Sequence, residues 1–348
     1  MDRDRPNGIT ALRFFLAVAV VVFHAWPLGG FGPDPVQVLT GGQARNGGSI
    51  AIMAFFGLSG YLLLQSRQRS SPVAFAWRRA LRIFPGYWIS IIATAFIVGP
   101  WYLAFAWFPG PGVGASVNAS LWTLFPEIIC YVVLALVPVR ALVVVVPGLV
   151  AGLALVSVQL LPMGFAGELV GMFLAFGTGA ILAQMRLRPS SRRAMALLLV
   201  LIAATALDRW MVAMPFIIAY LAIWVGLRLP LHWNRDLSYG TYIYAFPIGI
   251  AVAAAGGAKA GLLPFVLATL ALTIPVAFAS WMLVEMPALA FKNGVPIPRG
   301  LSRAHLRRWA GEAVDAVSAR RTASGVSAGS VHLASTRSTQ QTEALEAA

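Results

Sequence analysis

Ten apolar segments, each about the length of a membrane-spanning helix, occupy most of this 348-residue sequence. A helix needs about 17 to 25 apolar residues to cross the hydrocarbon core of a bilayer. Charged residues make up only 11% of the chain, whereas about a quarter of the residues of a soluble domain are charged. The sequence therefore predicts an all-α, polytopic membrane helical bundle. The predicted spans are 8–27, 48–66, 84–105, 120–138, 141–161, 166–185, 193–209, 211–228, 237–256 and 261–290.

The basic residues predict the orientation of this bundle. With the N-terminus inside, the inner segments carry 22 Lys and Arg residues and the outer segments only three. Lys and Arg accumulate in cytoplasmic loops, so both termini are expected in the cytoplasm and the chain in the inner (plasma) membrane. This orientation also accounts for the net charge of +14. No basic stripe alternates with exposed aromatic residues, so nucleic acid is not an expected partner.

The composition changes after Phe291, where Ser, Ala, Thr, Arg and Gly replace the apolar runs. We therefore predict a membrane domain over 1–291 and a basic, largely disordered cytoplasmic tail over 292–348. The single cysteine, Cys130, lies in an apolar segment. The sequence thus predicts neither a disulfide framework nor a metal site.

Two ionisable residues share one face of the first predicted helix. Arg13 and His24 are eleven residues apart, which is three turns plus about 20°, or about 16 Å along the axis. Intramembrane ionisable groups are usually functional, and an imidazole titrating near neutral pH can act as a general base. The alternatives are a packing role for His24 against a neighbouring helix and snorkelling of Arg13 to the interface.

Three arginines, Arg78, Arg79 and Arg82, lie where the chain re-enters the membrane after the second span. On a helix, residues three apart present neighbouring side chains, as Arg79 and Arg82 would. Guanidinium groups bind phosphate oxygens in a bidentate manner. The cluster fits a phosphorylated cytosolic ligand, although anchoring at the inner interface is the simpler interpretation.

Two acidic residues in or near apolar segments, Glu127 and Glu285, are candidate partners for these cations. Either could form a structural ion pair, or could orient the imidazole as the acid of a catalytic triad does. Pairing is the favoured role for Glu285, near the inner end of the last helix, while Glu127 is the better candidate for the bundle core. Glu168, near an outer end, is expected at the interface.

Taken together, these segments resemble the acyltransferase-3 family of integral-membrane O-acyltransferases. The resemblance rests on matching stretches that occur in order along the membrane portion. They are 13–24, 55–62 (Phe-Phe-Gly-Leu-Ser-Gly-Tyr-Leu), 79–87, 117–124 (Val-Asn-Ala-Ser-Leu-Trp-Thr-Leu), 237–242 (Leu-Ser-Tyr-Gly-Thr-Tyr) and 285–287 (Glu-Met-Pro).

The resemblance implies transfer of an acyl group, often acetyl, from coenzyme A to a hydroxyl of a sugar or related acceptor. It implies that His24 and Arg13 are essential and that Arg79 and Arg82, with Arg78 beside them, act near the acyl-CoA donor, without a metal. The catalytic set expected from the sequence is His24, Arg13 and Glu127. The remaining matching stretches supply the expected substrate pocket, which consists of Ser59, Tyr61, Ser120, Trp122, Tyr239 and Glu285.

Some relatives carry a fused esterase-like domain that takes the acyl group onward, and no such domain is expected from these 348 residues. Delivery is then expected from the membrane domain itself or through a separate periplasmic or glycan-synthesis partner. The main alternative function is a transporter of a small metabolite or lipid-linked sugar that uses Arg13 and Glu127. A non-catalytic scaffold would leave the alignment of His24 with Arg13 unexplained.

Overall fold

The computed structural model of this chain describes residues 8–42, 46–105, 118–160, 165–186, 189–207, 210–231 and 235–294. Within these ranges the chain is helical and forms no β-strand. A 3₁₀ turn, Ala119–Thr123, leads into α5, and a π-helical turn, Trp281–Glu285, connects α11 to α12. The α-helices are α1 (Gly8–Gly29), α2 (Pro35–Leu39), α3 (Gly47–Gln68), α4 (Pro72–Phe105), α5 (Leu124–Leu136), α6 (Val139–Leu160), α7 (Phe165–Gln184), α8 (Ser191–Ala206), α9 (Trp210–Arg228), α10 (Ser238–Ala254), α11 (Leu262–Ser280) and α12 (Met286–Ala290).

Helices occur in all ten predicted segments, which confirms the all-α fold. Among the described residues, six stretches are long and apolar enough to cross a membrane. These six are Gly8–Gly29, Gly47–Gln68, Pro72–Val98, Ala119–Leu136, Gly167–Gln184 and Leu262–Ala290. The chain is therefore a membrane protein, while the count of ten spans and the cytoplasmic location of both termini stay predictions.

Two boundaries differ from the predicted segments or fall beyond the described ranges. Helix α4 begins at Pro72 rather than at 84, so the arginine cluster lies within the helix instead of before it. The helical unit ends at Asn293. The tail predicted for 292–348 lies, beyond its first three residues, outside the described residues.

Short polar side chains begin several helices. The Asp34 carboxylate accepts hydrogen bonds from the backbone amides of Val36 and Gln37 at the start of α2, and from Gly47 at the start of α3. Asn46 caps α3 by accepting from the amide of Ser49 at 3.0 Å. Such caps satisfy backbone donors that have no partner within the helix.

Helices α3 and α7 form the centre of the bundle. Of the residues in their spans, 72% are buried, against 28–33% in the other four candidate spans. Glycines allow the two backbones to approach closely, because a Cβ at Gly60 would lie 1.9 Å from the carbonyl oxygen of Phe176. A Cβ at Gly179 would lie 2.0 Å from the carbonyl oxygen of Gly57. Small residues are typical of membrane helix interfaces for this reason, which explains Gly60 of the 55–62 stretch. A Cβ at Gly57, the other glycine of that stretch, would lie 2.7 Å from Ala219 of α9.

The outer helices expose their apolar side chains. The exposed side chains include Trp88 and Phe96 of α4, Leu199 of α8, Leu263 of α11 and Leu283 of the π-helical turn. Apolar surfaces of this extent are characteristic of membrane or protein contact. Helix α1 packs against both α3 and α10, and α1 and α10 each carry residues of the site described next.

Candidate functional site

Four charged residues from four parts of the chain meet at one end of the bundle. Arg13 of α1 donates through Nη1 to Oδ2 of Asp236 at 2.8 Å, and Nη2 of Arg82 lies 2.6 Å from the same oxygen. Nη1 of Arg82 also lies 3.4 Å from Oε2 of Glu285. We call Arg13, Arg82, Asp236 and Glu285 the charge cluster. The charge cluster links α1, α4 and the segment before α10 to the end of the π-helical turn.

Asp236 is the central acid of the charge cluster and lies outside the membrane-spanning segments, just before α10. Burial alone would raise its pKa, but Arg13 and Arg82 outweigh that effect, and the pKa falls from 3.8 to about 2. The hydroxyl and backbone amide of Ser238 donate to its other oxygen. Asp236 is therefore ionised at neutral pH and also begins α10 as a capping acceptor.

The π-helical turn places the second acid. Glu285 ends this turn, and its side chain is only 1% exposed although the neighbouring Leu283 and Met286 are exposed. A π turn adds one residue to a helical turn and is common at functional sites. The turn directs the carboxylate inward to Arg82, which is the pairing favoured for Glu285 from the sequence.

The three arginines of α4 have different surroundings. Arg82 is paired with two acids, and its guanidinium also lies 5.9 Å from the ring centre of Tyr239. Arg79 forms no ion pair with any described residue, and its Nε is buried without a hydrogen-bond partner there. It lies within electrostatic range of Arg82, Arg13 and Glu127. Arg78 is half-buried on a different face of the helix.

A cavity of about 60 Å³, which we call the Arg13 cavity, adjoins the charge cluster. Its polar wall includes Arg13, Ser59, Glu127 and Tyr239. The hydroxyl of Tyr131 donates to the Glu127 carboxylate at 2.5 Å. The other residues of its wall are Ile52, Phe55, Phe56, Thr123, Leu124, Ser238 and Tyr242.

A smaller cavity of about 10 Å³, the His24 cavity, lies further along α1. His24 Nδ1 is 2.8 Å from the carbonyl oxygen of Val20, and its ring meets Phe246 edge to face at 5.5 Å. A backbone carbonyl can only accept, so Nδ1 carries a proton and donates to Val20. Ser120 and Thr269 supply further hydroxyl groups to the wall.

The structure brings half of the predicted site residues to these two cavities: Arg13, Ser59, Glu127 and Tyr239 to the first, and His24 and Ser120 to the second. Arg13 and His24 face the interior from the same helix, as their spacing predicts, but they border different cavities. Glu127 lies on the Arg13 cavity, and the Nδ1 proton of His24 is accepted by Val20. Tyr61 and Trp122 pack against the apolar core and are not among the residues lining either cavity.

Several residues of the site were not singled out from the sequence. Asp236 directly precedes the 237–242 stretch, and an acid beside such a stretch is the signal that could have identified it. Glu168, expected near the outer interface, is buried within the bundle and accepts from the hydroxyl of Ser49 at 2.5 Å. The described residues contain no group of three or more His, Cys, Asp or Glu side chains that could hold a metal ion.

The sequence matches the family described as an acyltransferase domain over residues 7–283. It is also similar to an O-acetyl transferase of Shigella phage Sf6, with 27% identity over 333 residues that cover 81% of this chain and 95% of the relative. No solved structure matches the chain. The family match includes every member of the charge cluster except Glu285.

Proposed function

Because this chain belongs to the acyltransferase-3 family, we propose that it transfers an acetyl group from cytosolic acetyl-CoA to a hydroxyl of a sugar or glycan-like acceptor. The name of the phage relative supports acetyl as the group transferred. The proposed location is the inner membrane, where the donor reaches the charge cluster from the cytoplasm. A separate periplasmic or glycan-synthesis protein is the proposed partner that supplies the acceptor.

The observation that carries this proposal is the state of His24. Its Nδ1 donates to the carbonyl of Val20, and its ring borders a cavity inside the bundle. The other ring nitrogen, Nε2, is the proposed base. In the proposed step the acceptor hydroxyl gives its proton to Nε2, and its oxygen attacks the carbonyl carbon of the thioester. The new C–O bond forms, the C–S bond breaks, and the proton passes from His24 to the departing thiolate. The products are the acetyl ester and free coenzyme A.

Arg79 is the proposed cation for the donor phosphates. Arg82 and Arg13 are occupied by Asp236, whereas the Nε of Arg79 has no partner among the described residues. Phosphate groups are suitable partners for such a guanidinium. Arg78, half-buried one residue earlier, is the proposed second contact, and Arg82 holds the helix in place through its two acids.

Glu127 is proposed to act on the donor side of the site. Its carboxylate faces the Arg13 cavity and is fixed by Tyr131. There it balances the positive charge of Arg79 and Arg13 along the path of the thioester. The role suggested from the sequence, that of orienting the imidazole, is supplied by the Val20 carbonyl.

The test is replacement of His24 by Asn in full-length protein. The Asn amide retains a hydrogen-bond donor toward Val20 but has no basic nitrogen, so membrane insertion should be normal. Membranes containing the wild-type protein and labelled acetyl-CoA should form O-acetylated glycan and release the coenzyme A thiol. His24→Asn should reduce this at least about 100-fold, the usual minimum contribution of a general base.

The matched control is His305→Asn, the same chemical change in the tail, which should keep full activity. Full transfer by His24→Asn would contradict the assigned base. No thiol release by the wild-type protein, together with uptake of an intact metabolite by vesicles, would favour the transporter instead.

A further inference from the structure

One tyrosine borders both cavities of the site. Tyr242 of α10 lines the Arg13 cavity and the His24 cavity. Its hydroxyl is 2.6 Å from Oγ1 of Thr123, in the 3₁₀ turn before α5. The side chains of Tyr242 and Thr123 are both buried. The hydrogen bond therefore joins α10 to the turn at the boundary between the two cavities.

The position of this tyrosine is fixed from several directions. The ring of Phe55 in α3 packs against it edge to face at 6.3 Å. One residue further along α10, the carbonyl of Ile243 accepts from the Asn118 side chain at 2.9 Å, and Asn118 also caps the turn that carries Thr123. The α10 backbone and the 3₁₀ turn are thus held together on both sides of the contact.

We infer that Tyr242, held by Thr123, closes the passage between the two cavities and limits the acyl group that reaches His24 to a short one. This inference rests on the proposed function, in which the thioester enters from the charge cluster and is attacked beside His24. An acyl group on that path must pass the aromatic ring of Tyr242. The residue is then a specificity-determining residue, not a catalytic one.

The size of the His24 cavity agrees with this role. A cavity of about 10 to 15 Å³ has room for a single water molecule, and the His24 cavity is about 10 Å³. A methyl group is of similar size, whereas the longer chain of a butyryl group is not. Much of the remaining wall is apolar and includes Val21, Leu28 and Phe265, with the hydroxyls of Ser120 and Thr269 as its polar part.

The experiment compares butyryl-CoA with acetyl-CoA as donors, using full-length wild-type protein, Tyr242→Ala and Tyr242→Phe in membranes. The quantity measured is the donor ratio, which is kcat/KM for butyryl-CoA divided by kcat/KM for acetyl-CoA. Tyr242→Ala removes the ring and should raise this ratio at least about tenfold. The reason is that each methylene that a pocket excludes changes selectivity by about 10- to 200-fold. Tyr242→Phe keeps the ring and loses only the hydrogen bond. It should raise the ratio by about two- to tenfold.

Thr123→Val removes the same hydrogen bond from the other side and should match Tyr242→Phe. The control is Tyr244→Phe on the same helix, since this buried hydroxyl bonds Ser280 and lines neither cavity. Its ratio should equal that of the wild type. Size-exclusion chromatography of each variant reports folding. If Tyr242→Ala fails to fold, the donor ratios of Tyr242→Phe and Thr123→Val test the inference.

Two results separate this inference from the proposed function. If the wild-type protein transfers acetyl groups but the donor ratio is unchanged in every folded Tyr242 and Thr123 variant, the passage is not controlled by Tyr242 and the inference is overturned. An equal change in Tyr244→Phe also overturns it. If the wild-type protein transfers no acyl group from either donor, the proposed function itself fails.

Discussion

Replacing Asp236 by Asn removes the one charge that two arginines share while changing little else in shape. The Asn side-chain oxygen can still accept from the amide of Ser238, so the start of α10 is preserved. Arg13 and Arg82 would lose their common anion. Glu285 alone would then face the positive charge at this end of the bundle.

The expected loss of folding free energy in Asp236→Asn follows from the pKa of Asp236. One pKa unit corresponds to about 1.4 kcal/mol of interaction that distinguishes the ionised from the protonated form. The decrease from 3.8 to about 2 therefore corresponds to about 2 to 3 kcal/mol of folding free energy at neutral pH. We expect Asp236→Asn to be less stable than the wild type by about this amount.

The pH dependence of this loss has a definite sign. Because the folded-state pKa of Asp236 lies below the unfolded value, its stabilisation is complete above the unfolded pKa and is lost as the pH falls toward the folded pKa. The difference between the wild type and Asp236→Asn should be constant from about pH 8 to pH 5. It should shrink below about pH 4 as the wild-type carboxylate and its unfolded reference become protonated.

Stability can be measured by unfolding the detergent-solubilised protein with SDS, followed by tryptophan fluorescence, at several pH values. Asp315→Asn, the same chemical change in the tail sequence, is the matched control and should leave stability unchanged. A loss below about 0.5 kcal/mol, typical of exposed ion pairs, would refute the reasoning. So would an equal loss in Asp315→Asn or a difference that does not change down to pH 3.

Arg79→Gln should raise KM for acetyl-CoA by about tenfold or more, as expected for one lost charge-assisted bond, with unchanged stability. Arg82→Gln should lower stability, because it removes the pairing of Glu285 and leaves Asp236 with Arg13 alone. Steady-state kinetics and SDS unfolding separate the two effects. Gly60→Ala should lose at least about 1 kcal/mol of stability, the scale of core overpacking, since its Cβ would lie 1.9 Å from the Phe176 carbonyl oxygen. Gly148→Ala, which meets open space on α6, should show no such loss in the same unfolding assay.

Residues on one helix were the easiest to place from the sequence. The eleven-residue spacing of Arg13 and His24 predicts a shared face, because helical geometry is local and repeats along the chain. The structure has both side chains facing the bundle interior. The apolar segments predict the helices for the same reason.

Contacts between distant segments could not be predicted in this way. The bond of Tyr242 to Thr123 joins residues 119 positions apart, and the ion pair of Arg13 with Asp236 joins residues 223 apart. Such pairs depend on how helices pack, which no single-segment pattern reports. The same limitation applies to the three arginines of α4, since only their neighbours distinguish the paired Arg82 from Arg79.

The glycine contacts between α3 and α7 also determine which parts of the protein can move. With backbone carbonyls pressed into glycine positions, neither helix can slide or rotate against the other without a steric collision. Under the proposed function a long coenzyme must nevertheless enter and leave at every turnover. We therefore expect the movement that admits the coenzyme to occur in the surrounding helices, while α3 and α7 keep their positions relative to each other.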